Sequence, residues 1–159
     1  DIPTTYEHLQ MHMNAASDNT AYAGYREWCY VLFNTSTATT NSDYSYAVVS
    51  ARANARMTSA TTGHNHIVIP WMGGTAIGMA HFGGCVMNIL NYRNGSKKTT
   101  MTAFAGSVGG GTTSSERAVG WSSGLWDNVA AVTKILLIPD LGSNWRRGSE
   151  FTLYGLKSS

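Results

Sequence analysis

Apolar and polar residues alternate over short stretches along this chain, and no long segment repeats with the 3.6-residue period of a helix. Leu9, Met11 and Met13 alternate with His8, Gln10 and His12, which predicts a strand with one wet face. Glu27 to Asn34 is apolar on both faces, through Trp28, Tyr30 and Leu32 on one side and Cys29, Val31 and Phe33 on the other. Trp28 and Tyr30 are expected in the core. Tyr44, Tyr46 and Val48 open a third strand that runs to about Ala53. His66 to Trp71 is a short strand closed by Pro70 and the Gly73-Gly74 pair, and Cys85 to Tyr92, Lys97 to Phe104 and Glu116 to Trp121 follow. Residues 15–25, 35–43, 54–65 and 106–115 are small and polar and read as loops.

The end of the chain, Val129 to Lys157, looks like a closing device. Val132, Lys134, Leu136 and Ile138 point one way on an extended chain, and Thr133, Ile135 and Leu137 the other. Both sets are mostly apolar, so the strand is expected to be covered on two sides until Pro139, which cannot donate to a ladder, ends it. A polar loop, Asp140 to Glu150, leads to a terminal strand, Phe151 to Leu156. Its Phe151 and Leu153 should pack against the preceding strand.

The best turn is Arg93-Asn94-Gly95-Ser96. Asn-Gly between extended runs predicts a two-residue hairpin with Gly95 at positive φ. Short strands, polar turns and no long amphipathic segment together predict an all-β protein, an antiparallel β-sandwich formed as one domain by residues 1–159.

Composition narrows the function. Only 13% of the 159 residues are charged, about half the usual share, while 43% are hydrophobic. A surface solvated by hydroxyls and amides suits a secreted or virion-exterior protein, or one that buries much of itself in an oligomer. The net charge is +2, and Lys97-Lys98 and Arg146-Arg147 are isolated pairs that read as solvated loop charges. No nucleic-acid partner is therefore expected. Nor is a membrane partner, since no stretch approaches the ~20 apolar residues of a span. The polar N-terminus begins a strand and has no signal-peptide character. Cys29 and Cys85 sit in apolar runs and read as buried free thiols, with a disulfide open as the alternative.

Candidate chemistry is sparse. There is no Gly-x-Ser-x-Gly elbow, and Gly109 to Gly111 precedes no Lys-Ser/Thr, so it is no phosphate cradle. The nine acidic residues are scattered and form no glycosidase pair in the sequence. Neither enzymatic activity nor a cofactor is expected. His64-Asn65-His66 puts two imidazoles on one face of an extended chain. In a trimer with this strand at the axis, three such pairs would make an octahedral metal site, and the plainer reading is a solvent-facing strand start. His8 and His12 read as one wet strand face. Of five Trp residues, Trp71, Trp121, Trp126 and Trp145 lie beside Gly, Ser, Asn or Pro, near predicted strand ends. Loop aromatics there could stack on sugars or anchor an interface, or they could cap the sandwich core.

Three stretches carry a resemblance. The ending GSEFTLYGL after AVTKILLIP, the opening IPTTYEHLQM and the middle segment GGCVMNILNYRNGSKKTT resemble small β-sandwich virion proteins of tailed bacteriophages. These have an IP-x-TY-x-x-L start and a GS-x-F-x-LYG ending. The resemblance implies a jelly-roll or concanavalin-like sandwich on the virion exterior, assembled in the host cytoplasm, as head decoration, head fibre or tail fibre. It implies partners of two kinds, copies of the chain itself in a homotrimer and other virion proteins. The alternative is a fibre-tip module that contacts host cell-surface glycan. Such proteins usually carry another strand before the IP segment, and this chain starts at Asp1 without Met, which implies a processed or trimmed domain.

Overall fold

The computed structural model describes residues 2–19, 27–35, 42–52, 55–74, 81–93, 95–108 and 117–157. Among them there is no helix. Ten strands run in chain order: β1 (His8–Ala15), β2 (Glu27–Phe33), β3 (Tyr44–Arg52), β4 (Ala55–His64), β5 (Ile67–Met72), β6 (Gly83–Leu90), β7 (Thr99–Val108), β8 (Arg117–Trp126), β9 (Ile135–Pro139) and β10 (Glu150–Leu156). They form two antiparallel sheets, one of seven strands in the order β10-β1-β6-β7-β8-β3-β4 and one of three in the order β5-β2-β9. The chain is thus all-β and built as a sandwich.

The core lies between the sheets. Leu9, Met11 and Met13 from β1, Cys85, Met87 and Ile89 from β6, and Met101, Ala103 and Ala105 from β7 face inward. Cys29, Val31, Phe33, Ile67 and Ile69 of the small sheet cover them. Each fully buried large side chain stabilises by about 1.5–3 kcal/mol. The inward positions of β8 are Gly120, Ser122 and Gly124. A Cβ on Gly120 would lie 2.5 Å from Pro70 Cγ, and one on Gly124 would lie 2.5 Å from Ile67 Cγ2. These glycines let β5 approach the large sheet more closely than any side chain would allow.

Several expectations change. Residues 54–65 are largely a strand, β4, and not a loop. β4 is a sheet edge exposed along nearly its whole length, so it carries no apolar alternation to read. Pro70 lies inside β5, where two residues, Pro70 and Trp71, oppose Trp28 across a register shift. An edge strand tolerates a proline at such a bulge. Trp71 takes φ 64° there, a strained conformation for a bulky residue costing roughly 1–3 kcal/mol.

β6 and β7 do form a hairpin, with Leu90 opposite Thr100, but residues 91–98 connect them, so the tight two-residue turn is not formed. The left-handed residue in the connection is Asn91, φ 57°. The expectation for Gly95 depends on Asn94, which lies outside the described residues. Trp28 and Tyr30 are half-buried; Tyr30 packs against the core without being one of its fully buried side chains.

The C-terminal pair is also rearranged. β9 is a half-buried edge of the small sheet and β10 is an edge of the large one, so they belong to different sheets. Val132 is buried, but before the strand begins, and its N–H donates to the Tyr92 carbonyl. Phe151 and Leu153 remain more than a third exposed. Phe151 packs edge-on against Trp145, with ring centroids 5.6 Å apart. Cys29 and Cys85 are free and buried.

The chain's opening, its middle segment 83–100 and its ending 148–156 are neighbours in space. They supply β10, β1 and β6, the first three strands of the large sheet, and β7 begins at the end of the middle segment. Tyr6 lies over Gly155, where a Cβ would overlap its ring. The Tyr92 hydroxyl donates to the Pro3 carbonyl, and Arg93 donates to Thr4 O at 2.9 Å and pairs with Glu7 at 2.9 Å. These contacts lock the opening of the chain onto its end and middle.

Candidate functional site

Period-two alternation sends every other residue of the large sheet to the core and the rest to its outer face. The cross-strand register then decides which outward residues meet. Val86 stands opposite Phe104, Phe104 opposite Trp121, and Trp121 opposite Val49. With His12 and Thr152 at one end and Thr58 at the other, these make one rung across all seven strands. Phe104 and Trp121 meet in a T-shaped pair, centroids 6.3 Å apart, and are 54% and 60% exposed. Large aromatics this exposed at the middle of a sheet mark a surface made to be covered.

The rungs on either side are low. One reads Glu150, Asn14, Gly84, Gly106, Val119, Ala51, Arg56. It opens a depression of about 440 Å³ beside His12, Val86 and Phe104, and another of about 320 Å³ beside Val49, Met57, Val119 and Trp121. The rung on the other side reads Tyr154, Gln10, Asn88, Thr102, Ser123, Ala47, Ala60. Beyond it lies a hollow of about 760 Å³ whose lining includes the hydroxyls of Ser45, Thr62, Thr100 and Ser123. Gln10 Nε2 donates to Asn88 Oδ1 at 2.8 Å, and His12 bonds Gln10 at 3.0 Å. Among the described residues that point outward on these strands, only Glu150, Arg117 and Arg56 carry formal charge.

The four tryptophans separate. Trp121 joins the rung. Trp71, 1% exposed, and Trp126, beside Phe33 at 5.7 Å, are buried and present no surface to a ligand. Trp145 sits at the seam between the sheets, its indole N–H donating to the Leu137 carbonyl at 3.0 Å. Phe104, the partner of Trp121, was not anticipated. Only its place on the same strand face as Thr102 and Gly106, opposite Ala103 and Ala105, hinted at an outward position.

His64 and His66 come together, with ring centroids 4.3 Å apart, but edge to face at 82° and across a bend that begins at Gly63, φ 63°. His64 ends β4 and His66 precedes β5, so strand alternation does not align them. His66 stacks on Tyr30 at 3.6 Å, and the Tyr30 hydroxyl donates to Asp140. Burial, and then the neighbouring His64, push the His66 pKa down to about 4. Among the described residues, no group of three His, Cys, Asp or Glu side chains could hold a metal. His8 and His12 lie on the outer face, with His8 Nδ1 accepting the Asn91 N–H at 3.1 Å.

One buried carboxylate has a different role. Glu27 is fully buried, accepting from the Ser17 hydroxyl and from Leu141 N–H at 2.7 Å. Burial raises its pKa, against those two hydrogen bonds. Asp18 accepts from the N–H groups of Ser143 and Asn144, at 2.8 and 3.0 Å. Together they fasten the 140–149 connection to the end of β1, which is a structural task.

Fold and site together define an all-β sandwich with an open, nearly uncharged, aromatic-centred face. No family model, curated protein or solved structure matches the chain. No helix among the described residues is long and apolar enough to cross a membrane.

Proposed function

We propose that this chain is an exterior structural protein of a tailed-phage virion, a decoration or fibre component that works by binding its own copies and the particle. The observation that carries the reading is the outer face of the seven-stranded sheet, where Phe104, Trp121, Val49 and Val86 stand exposed among almost no charge. Monomeric proteins rarely present such a patch without a partner for it. The virion setting comes from the resemblance. Imaging of phage particles with a label on this chain tests the proposal. Density on the outside of head or tail is expected, and absence of the chain from purified particles would end it.

A second reading is favoured by one feature. The same outer face carries both an exposed indole, Trp121, and, one rung away, a hollow whose lining includes Ser45, Thr62, Thr100 and Ser123, so stacking and hydrogen-bonding groups share one surface, as a glycan requires. In that reading the chain is a fibre-tip module for host cell-surface glycan. A glycan array probed with the wild type and with Trp121→Ala tests it. Binding that depends on Trp121 is the expected result, and no binding by the wild type would end it.

A further inference from the structure

The outer face of the large sheet has a relief that fits itself. We infer that two copies of this chain associate through it, face to face about a two-fold axis, with Phe104 and Val86 of each copy over Gly106 and Gly84 of the other. The inference rests on the self-association proposed above and gives it a surface and a symmetry.

The ridge is the rung Val86, Phe104, Trp121, Val49, and the trough is the adjacent rung Gly84, Gly106, Val119, Ala51. Each ridge residue lies two positions from a trough residue on the same strand. A two-fold axis parallel to the rungs and midway between them carries every ridge position of one copy onto the trough position of that same strand in the other. Phe104 then meets Gly106, Val86 meets Gly84, Val49 meets Ala51, and Trp121 meets the exposed Val119. Large faces small on three strands, and apolar faces apolar on the fourth.

The charges agree with this packing. Glu150 and Arg56 end the trough rung at opposite edges of the sheet, and the operation sets them over Thr152 and Thr58. No like charges meet. Under this axis about four outward rungs on seven strands overlap, roughly 29 by 20 Å at ordinary strand spacings. That is about 600 Å² per partner, the size of a weak, concentration-dependent association and below the standard stable interface. Seating the ridge on the other adjacent rung would instead set Val86 over Asn88, Phe104 over Thr102 and Trp121 over Ser123, and leave Val119 uncovered, so the glycine side is favoured. An isologous contact closes at two copies, which departs from the trimer that the resemblance implies.

Sedimentation of the purified chain across a concentration series, with two variants, tests the inference. Gly84→Phe fills the trough, and a Cβ at Gly84 meets nothing within 4 Å, so the fold has room for it. Trp121→Glu puts a charge on the ridge at an exposed position. The expected result is a wild-type dimer whose dissociation constant rises at least tenfold in both variants. Leu141→Glu, also exposed but away from this face, should leave it unchanged. Circular dichroism and urea midpoints of the dilute monomers check that each variant is folded. A dimer equally strong in both variants would overturn the assigned surface and leave self-association standing. A wild-type trimer would overturn the two-fold. A chain that stays monomeric throughout would overturn self-association and the inference with it. If its indole fluorescence then saturated with an oligosaccharide, the rung would be a glycan platform instead.

Discussion

Adding one methyl group at Gly124 tests how the two sheets are held together. The new Cβ would stand 2.5 Å from Ile67 Cγ2, 2.7 Å from Cδ1 and 2.8 Å from Cγ1. Ordinary contacts lie near 3.5–4.0 Å, so something must move by about 1 Å. Ile67 is completely buried, and its strand is tied to β2 through the Val31–Ile67 pair, so it has nowhere to go without shifting β5. Overpacking of this kind costs about 1–3 kcal/mol. Replacing a glycine also restricts the unfolded chain, which offsets about 0.4–1 kcal/mol. A net loss of about 1–2 kcal/mol is expected for Gly124→Ala, or roughly 2–8 °C in melting temperature for a chain of this size.

The decisive comparison uses Ile67→Ala as a second background. That change removes all three overlapping atoms and by itself costs about 2–5 kcal/mol. Within it, Gly124→Ala should cost nothing, or stabilise slightly. Urea unfolding followed by tryptophan fluorescence measures all four proteins, and the coupling should exceed about 1 kcal/mol. Additive effects would mean that β5 does not rest on Gly124, and the account of the close sheet contact would fail. The same experiment bears on the candidate site, because Trp121 stands on β8 between Gly120 and Gly124.

Three further outcomes are expected. The depressed pKa of His66, about 4 against an ordinary 6.5, means the unfolded chain takes up this proton first as pH falls. Its stabilisation is complete above about 6.5 and is lost between 6.5 and 4. For a partly solvated ring it amounts to about 1–2 kcal/mol after allowance for screening. His66→Phe should flatten that part of the stability–pH curve, and an unchanged curve would refute the assignment. Glu27 acts in the opposite sense: its raised pKa makes stability fall as pH rises above the ordinary 4.5. Glu27→Gln should remove that fall. Glu27→Ala should cost about 1–3 kcal/mol at neutral pH by taking the acceptor from the Leu141 N–H, and equal urea midpoints for the two variants would refute this. Finally, burial pushes the Cys85 thiol up to about 12 and the Cys29 thiol well above its usual value, so neither should react with an aromatic disulfide reagent in the folded protein. Both should react in denaturant, and rapid reaction under native conditions would contradict their burial.

What was legible in the sequence depended on whether a residue's surroundings were one-sided. β1 could be read because one face is core and the other is water. β4 could not, because both of its faces are wet, and Thr and Ser on both sides look like a loop. β8 misled in a more instructive way. Its Gly120, Ser122, Ser123 and Gly124 resemble loop composition, so the strand was expected to stop at Trp121, and Trp121 and Trp126 were placed at a margin. In the structure the small residues Gly120, Ser122 and Gly124 are the inward face of a strand, kept small because β5 lies against them. That requirement sets the parity of everything else on β8. If Gly120, Ser122 and Gly124 point in, Trp121 and Ser123 must point out. Trp126, at the same parity as Gly124, closes the core beside Phe33. The aromatic rung is therefore the reverse side of the sheet contact. Its remaining half, the alignment of Phe104 with Trp121, is set by pairing across strands seventeen residues apart, as 121 − 104 counts it. Local alternation gives each residue its face, but the opposite partner is chosen by register, which local pattern does not reveal.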